Sequence, residues 1–148
     1  MKRMAICAII RNKDNEFIIV EPTYRNDWLM PGGVIEQNES PKEACERDIK
    51  EELGVDIKIT RMLCIEYQSA HSNKSESIQF IADGGVITEQ SISQIQLQES
   101  EIRSYRFVNL HDSTSLLNPL LRERLDFAFS SLESGEIVYI EDKKLIVS

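Results

Sequence analysis

Residues 33–55 of this chain read GVIEQNESPKEACERDIKEELGV, and this stretch carries the clearest helix signals in the sequence. Ser40 is a favourable N-cap, Pro41 stands at the first helical position, and Glu43 completes a Ser-x-x-Glu capping box. An apolar residue recurs at every fourth position, at Cys45, Ile49 and Leu53. Gly54 then provides the residue type that commonly follows the last turn of a helix. The sequence therefore predicts a helix that begins after Ser40, ends before Gly54 and buries one face.

Three carboxylates, those of Asp48, Glu51 and Glu52, crowd the last two turns of this helix. They repel one another and oppose the helix macrodipole, whose C-terminal end is already negative. At about 100° per residue they project to one side of the helix, beside the apolar stripe. A hard cation such as Mg²⁺ or Mn²⁺ would relieve the repulsion and lower the pKa of an attacking water. Such a costly cluster indicates a functional site; the alternative is a solvated acidic face on an amphipathic helix.

The rest of the sequence alternates apolar runs with polar connections. Strands are predicted at residues 4–11, 16–21, 34–35, 55–69, 76–82, 105–108, 137–140 and 144–147. A second amphipathic helix is predicted from Leu120 to Leu132, with Pro119 near its start and Gly135 after its end. The polar residues 90–101 are predicted to be irregular. Strands, a helix, further strands and a second helix are typical of an α+β fold with a mixed β-sheet.

The composition describes one acidic domain. The 148 residues suffice for a single domain spanning residues 1–148 with a sizeable core. Acidic residues outnumber basic residues 25 to 17, the formal net charge is −8, and no stripe of Lys and Arg stands out. We therefore expect no nucleic-acid partner. A small phosphorylated ligand would need a cation as a bridge to so acidic a chain.

Cysteine usage and hydropathy bear on location. The three cysteines, Cys7, Cys45 and Cys64, are scattered and lack C-x-x-C spacing, which is typical of the reducing cytoplasm. The apolar run that follows Arg3 has only seven residues and ends at Arg11, so it predicts a strand rather than a signal peptide. No stretch is long enough to span a membrane, and we expect no membrane partner.

Residues 33–55 resemble the Nudix box, G-x5-E-x7-R-E-U-x-E-E-x-G-U, where U is aliphatic. Eight of its nine specified positions match, at Gly33, Glu39, Arg47, Ile49, Glu51, Glu52, Gly54 and Val55. The ninth is Asp48, which keeps the charge but is one methylene shorter than the glutamate of the family. Residues 28–33, WLMPGG, resemble the approach to the box in many members. The C-terminal helix and hairpin, residues 118–147, resemble more weakly the ends of some bacterial members.

This resemblance implies an α/β/α sandwich and an enzyme, a Nudix pyrophosphohydrolase. The implied reaction is metal-dependent hydrolysis of a pyrophosphate bond in a nucleoside diphosphate linked to another moiety, by attack of water on phosphorus. The implied substrates are nucleoside triphosphates, damaged nucleotides or nucleotide sugars. Carried over by position, the ligands of Mg²⁺ or Mn²⁺ would be the Gly33 carbonyl, Asp48, Glu51 and Glu52. Arg47 would orient the glutamates by charge-assisted hydrogen bonds, and Glu39 would support the site.

The general base stays open at this point. Asp48 would act directly or through a bridging water, because its side chain is short. Alternatively, the base comes from the later polar loop, where Glu99 and Glu101 are candidates and Glu101 is preferred. The candidate catalytic set is Arg47, Asp48, Glu52 and Glu101. Tyr24 and Arg25, on the loop before the Pro-Gly-Gly turn, are candidates for binding the base or the phosphates of the substrate.

Two other hypotheses are compatible with an acidic helix. The shorter Asp48 would suit a catalytically weak module that binds a nucleotide as a sensor or structural part. A calcium-binding domain would also be acidic, but this chain lacks a D-x-D-x-D-G loop. The sequence leaves the substrate and the oligomeric state open, although sheet edges and the C-terminal hairpin would support a homodimer.

Overall fold

A computed structural model describes residues 2–146, which form one β-sheet with helices packed against it. The strands are β1 (Arg3–Arg11), β2 (Phe17–Pro22), β3 (Gly32–Val34), β4 (Arg61–Gln68), β5 (Ser77–Val86), β6 (Ile102–Val108), β7 (Val138–Glu141) and β8 (Lys144–Leu145). The helices are α1 (Pro41–Leu53), α2 (Glu89–Ser93), α3 (Leu110–Ser113) and α4 (Pro119–Ser134).

The eight-stranded sheet is mixed, as predicted. Its strand order is β6-β2-β1-β5-β4-β7-β8, and β3 pairs with β1 outside this path. Strand β1 runs parallel to β5, and β4 runs parallel to β7. The remaining pairs are antiparallel. The expected α+β class is therefore confirmed.

Two apolar cores lie on opposite faces of the sheet, because side chains alternate along each strand. On β1, Ile6, Ala8 and Ile10 belong to the core beneath α1, whereas Ile9 belongs to the core beneath α4. Helix α4 contributes Leu121, Leu125 and Ala128 to this second core. The arrangement is the three-layer α/β/α sandwich that the resemblance implied.

Helix α1 begins and ends where the sequence predicts. Ser40 accepts a hydrogen bond from the Glu43 N–H, and the Glu43 side chain accepts one from the Ser40 N–H, which completes the capping box. Gly54 ends the helix in the left-handed region at φ 72°, where a side chain is disfavoured. The buried face consists of Ala44, Cys45, Ile49 and Leu53. The helix is thereby fixed in register against the sheet.

One strand prediction was wrong at its start. Residues 55–69 were expected to be extended throughout, but β4 begins only at Arg61. The Ile59 N–H donates to Glu46 at 2.8 Å, and Lys42 donates to the Ile59 carbonyl at 3.3 Å. Buried Val55 and Ile59 pack into the core beneath α1. Ile59 is therefore bonded to helix α1, and the chain first bonds to β5 at Thr60, whose N–H donates to the Asp83 carbonyl at 3.2 Å.

Smaller differences occur elsewhere. The irregular stretch predicted at residues 90–101 starts inside the short helix α2, which Thr88 caps. Helix α4, the second amphipathic helix of the prediction, begins at Pro119 and is capped by Gly135, close to the predicted bounds. The last strand ends at Leu145, and the expected residue 147 lies outside the described residues. Within residues 2–146, the helices are too short or too polar to cross a membrane.

Candidate active site

Strand β3 places two glycines between β1 and helix α1. Gly33 is the register partner of Ile6, and Gly32 is the partner of Cys7. Gly32 has φ 145°, and a Cβ there would stand 2.1 Å from the Ile6 carbonyl oxygen. A Cβ on Gly33 would stand 2.6 Å from Oδ2 of Asp48. The contact with backbone requires glycine at position 32, whereas a side chain at position 33 would displace the Asp48 carboxylate. The backbone of β3 at Gly33 therefore lies directly against the acidic helix.

Glu52 is the most perturbed carboxyl of this region. Its Oε1 accepts a hydrogen bond of 3.3 Å from the Gly32 N–H. Burial, together with the negative charges of Asp48, Glu101 and Glu51, raises the pKa of Glu52 to about 8, although the Gly32 hydrogen bond opposes the shift. A carboxylate with so much nearby negative charge favours a cation in its surroundings.

Asp48 has one satisfied and one unsatisfied oxygen. Its side chain is 13% exposed, and Oδ1 accepts a hydrogen bond of 2.9 Å from Nη1 of Arg47. Oδ2 is buried and, among residues 2–146, has no hydrogen-bond partner. Burial raises the pKa of Asp48 to about 6, although the positive charge of Arg47 opposes the shift. An acceptor buried without a protein partner is costly, and this oxygen is free to accept a bond from a water molecule or to bind a cation.

Arg47 and Glu39 form a bidentate pair beside this cluster. Nε of Arg47 donates to one Glu39 oxygen at 2.5 Å, and Nη2 donates to the other at 2.9 Å. The hydrogen bonds from Arg47 lower the pKa of Glu39 to about 2. Arg47 also donates to Glu51 at 3.5 Å. Within the described chain it does not reach Glu52, which is held by Gly32 instead. Arg47 thus links Glu39, Asp48 and Glu51.

The other acidic candidates are exposed. The Glu51 side chain is 51% exposed. Glu101 is exposed, and its carbonyl accepts a hydrogen bond of 2.9 Å from the Thr23 N–H. Its charge is close enough to raise the pKa of Glu52. Glu99 is exposed, and residues 2–146 supply no hydrogen bond or ion pair to its side chain. The structure thus brings Glu101, but not Glu99, toward the acidic helix.

The two predicted substrate-binding residues differ in their surroundings. Tyr24 is 67% exposed and lines a cavity of about 360 Å³ that also borders Gly32 and Gly33. Arg25 forms an exposed ion pair with Asp27 at 3.3 Å and, in the described chain, does not line this cavity. The position of Tyr24 is therefore the more favourable for contact with a substrate.

Sequence reasoning missed several residues of this cavity. They are Arg3, Gln68, Lys74, Gln79, Asn118 and Arg124. They come from β1, β4, β5, helix α4 and two connecting segments, so no local spacing marks them. Arg124 is 8% exposed and donates to buried Glu66 at 2.6 Å. Only the pairing of the strands brings these side chains together.

The residues fit a hard divalent cation by chemistry. Within residues 2–146, no three His, Cys, Asp or Glu side chains already converge on one point as a preformed metal site. However, Asp48 leaves a buried oxygen unpartnered, and Glu52 is strongly disfavoured as an anion. Carboxylate and carbonyl oxygens are the ligands that Mg²⁺ prefers. A cation at the acidic end of α1 would satisfy both groups.

The chain is similar in sequence to proteins named as phosphohydrolases or Nudix hydrolases. Diphosphoinositol polyphosphate phosphohydrolase 2 of Rattus norvegicus is 35% identical over 66 residues, an alignment that covers 43% of this chain and 37% of that protein. Nudix hydrolase 5 of Arabidopsis thaliana is 27% identical over 116 residues, covering 74% of this chain and 37% of that protein. The chain therefore spans less than half the length of these curated relatives.

Solved structures share the fold at low sequence identity. The MutT protein from Methanosarcina mazei Go1 superposes with a TM-score of 0.72 at 22% identity, covering 91% of this chain and 96% of that chain. A C. elegans Ap4A hydrolase superposes with a TM-score of 0.65 at 19% identity, covering 90% of this chain and 99% of that chain. A family model described as NUDIX domain matches residues 1–127. Because that match takes in most of the chain, the protein belongs to the Nudix family.

Proposed function

We propose that this protein is a metal-dependent Nudix pyrophosphohydrolase. Its substrate is a nucleoside diphosphate linked to another moiety, as in a nucleoside triphosphate, a damaged nucleotide or a nucleotide sugar. The observation that carries the proposal is the unpartnered Oδ2 of Asp48, which lies against Gly33, a residue that lines the cavity. A buried acceptor close to a cavity suits a site that holds a cation and an anionic substrate together.

The reaction is a hydrolysis at phosphorus. The oxygen of a water molecule bonds to one phosphorus while the bond from that phosphorus to the bridging oxygen breaks. The bridging oxygen leaves with the electron pair, and a carboxylate takes the proton that the water loses. Asp48 is favoured for this role over Glu101, because its free oxygen faces Gly33 and its pKa of about 6 lies near neutral pH. Arg47 is a positioning residue that fixes the Asp48 carboxylate.

Magnesium is the proposed cofactor, with manganese as its substitute. Gly33, Asp48, Glu51 and Glu52 are the residues that would hold it. When bound, the ion supplies electrostatic stabilisation of the reacting phosphate and lowers the pKa of water. The Gly32 N–H keeps Glu52 directed at the glycine turn, and Arg47 keeps Glu51 near Asp48.

A nucleotide panel tests this function. Canonical and oxidised nucleoside triphosphates, ADP-ribose, nucleotide sugars, dinucleoside polyphosphates and NADH would be incubated with Mg²⁺ or Mn²⁺. Release of phosphate or nucleoside monophosphate is expected for at least one substrate, and a chelator should abolish it. Glu52→Gln should lose turnover, whereas Glu133→Gln, an exposed glutamate on α4, should retain it. No turnover from a folded protein that still binds Mg²⁺ and nucleotide would favour the sensor hypothesis instead.

We also propose that the chain forms a homodimer through its C-terminal hairpin. Strand β8 is the last strand of the sheet order, so one of its edges is open within the described residues. Tyr139 and Leu145, on this hairpin, are 40% and 51% exposed. An edge strand can pair with the same strand of a second copy about a two-fold axis. Light scattering of the wild type should give twice the monomer mass. Leu145→Lys should lower the measured mass to that of the monomer. A monomeric wild type would contradict the proposal.

A reducing, cytoplasmic location is proposed from the cysteines. Cys7, Cys45 and Cys64 are all free, and the last two are buried. Burial raises the pKa of Cys64 to about 12, so its thiol is an unreactive apolar group. Localisation of a tagged protein by fractionation would test this, and recovery outside the cytoplasm would contradict it.

A further inference from the structure

The cavity beside Gly33 continues away from the acidic helix. A second cavity of about 410 Å³ shares Arg3, Gln68, Lys74 and Gln79 with the first, so the two form one cleft. The second cavity is further lined by His71 and other residues of the loop between β4 and β5. We call this part of the cleft, around Arg3, His71 and Lys74, the distal cleft.

The distal cleft is positively charged on a protein of formal net charge −8. Most Lys and Arg side chains of the chain form ion pairs with carboxylates. Within residues 2–146, Arg3 and Lys74 have no carboxylate within ion-pairing distance. The neighbouring Arg124, by contrast, is neutralised by Glu66 at 2.6 Å. Two uncompensated cations therefore face one cleft of an acidic protein, where an anion would neutralise them.

The separation from the glycine turn is set by strand geometry. Ile6 is the register partner of Gly33 on β3, and Arg3 lies three residues before Ile6 on the same strand. At 3.3 Å per residue, this places the Arg3 backbone about 10 Å from the position opposite Gly33. Arg3 also pairs in register with Ser77, which follows Lys74 by three residues, and both Arg3 and Lys74 line the second cavity. A phosphate group bound by Arg3 and Lys74 would therefore lie farther along the cleft than the scissile diphosphate, which the proposed function places at the glycine turn.

We propose that the distal cleft binds a second phosphate group of the substrate, carried on a part of the molecule remote from the scissile pyrophosphate. The inference rests on the proposed function and narrows its substrate class to nucleotides that bear an additional phosphomonoester. Arg3 suits such a group because its guanidinium presents a fork of donors to phosphate oxygens, and Lys74 adds a compact point charge. Gln68 and Gln79 line both cavities and supply polar side chains to the cleft.

A matched pair of ligands tests binding without any turnover. AMP and adenosine 2′,5′-bisphosphate lack a pyrophosphate bond and differ by one phosphomonoester. Calorimetry with Mg²⁺ should show that the bisphosphate binds about tenfold or more tightly than AMP, as one charge-assisted phosphate contact implies. The Arg3→Ala/Lys74→Ala variant should lose this preference. Lys13→Ala/Lys58→Ala removes two exposed lysines outside the cleft and controls for net charge. Equal affinities in the wild type would overturn the proposal.

Hydrolysis of NADPH and of NADH, which differ by the same phosphomonoester, tests the proposal by turnover. Wild type should hydrolyse NADPH with the lower KM, and the double variant should raise that KM while changing kcat little. If neither dinucleotide is cleaved but the bisphosphate preference persists, the proposed activity fails while the distal cleft stands. If inorganic phosphate at equal concentration abolishes the bisphosphate preference, the cleft is a site for free anions, and the substrate assignment is wrong.

Discussion

The Asp48 carboxylate fills the space that a side chain on residue 33 would occupy, with Oδ2 only 2.6 Å from the position of a Cβ on Gly33. Gly33→Ala should therefore push this carboxylate away from the glycine turn. We expect the variant to fold and to lose activity by about 100-fold, as displacement of a catalytic group by about 1 Å can cause. Steady-state kinetics and thermal unfolding would be measured together.

A second substitution separates displacement from general damage. In Gly33→Ala/Asp48→Ala the clash is removed, so thermal stability should recover while activity stays low. The two substitutions should then be strongly non-additive in stability. Additive losses would mean that the alanine disturbs β3 rather than Asp48.

Metal-free stability should fall as pH rises, because of Glu52. The pKa of Glu52 is about 8 in the folded protein against an ordinary value of 4.5. Between these values the folded state binds more protons than the unfolded state, so the free energy of unfolding declines as pH rises through this window. Each unit of pKa difference between the folded and unfolded states changes the free energy of unfolding by about 1.4 kcal/mol at most. Urea unfolding in chelator at pH 5 and pH 8 would measure the difference.

The variant Glu52→Gln should flatten this dependence, since its amide does not ionise. The remaining slope below pH 6 comes from Asp48, whose pKa is raised to about 6. Glu133→Gln should keep the wild-type slope. Mg²⁺ should stabilise wild type more at pH 8 than at pH 5, because the ligands are then ionised. A wild type whose stability rises between pH 5 and pH 8 in chelator would contradict the burial of Glu52.

Arg47 and Glu39 should behave as one unit. Arg47→Lys loses the fork that bonds both Glu39 oxygens and also bonds Asp48. We expect kcat to fall roughly 10- to 100-fold, the range seen when groups that orient ligands are removed. Glu39→Gln should give a smaller loss. The double variant should be little worse than Arg47→Lys alone, and a product of the two losses would show that the residues act independently.

How much of this could be predicted depends on how locally each feature is encoded. Helix α1 was predicted to the residue, because Ser40, Glu43 and Gly54 act within one turn of the helix ends. The late start of β4 was not predicted, because it depends on hydrogen bonds that join Ile59 to Lys42 and Glu46, which are 17 and 13 residues away in sequence. Local propensity cannot show such a bond.

The site divides in the same way. The acidic cluster was predicted from the spacing of Asp48, Glu51 and Glu52 on one helix. The hydrogen bond from Gly32 to Glu52 of this cluster, by contrast, joins residues that are 20 apart in sequence. Arg3 and Lys74 of the distal cleft come together only because β1 pairs in parallel with β5. The sequence contains no periodicity that sets this register. Strand pairing in three dimensions was needed to bring these groups together.

The identity of the general base can be decided by comparing Asp48 with Glu101. If Asp48 takes the proton, Asp48→Asn should lower kcat by about 100- to 10,000-fold, the usual contribution of a positioned base. Asp48→Glu, which restores the family residue, should keep substantial activity. Glu101→Gln should change kcat by only a few-fold, matching Glu99→Gln, because Glu101 is exposed and anchors Thr23 through its backbone rather than its side chain.

The pH profile of kcat/KM gives an independent reading of the same question. Wild type should lose activity as Asp48 becomes protonated, and Asp48→Glu should shift that acidic limb, whereas Glu101→Gln should leave it in place. If Glu101→Gln instead caused a large loss of kcat and displaced the acidic limb of the pH profile, Glu101 would be the general base. Asp48 would then serve only to bind the cation, and its short side chain would reflect that simpler role.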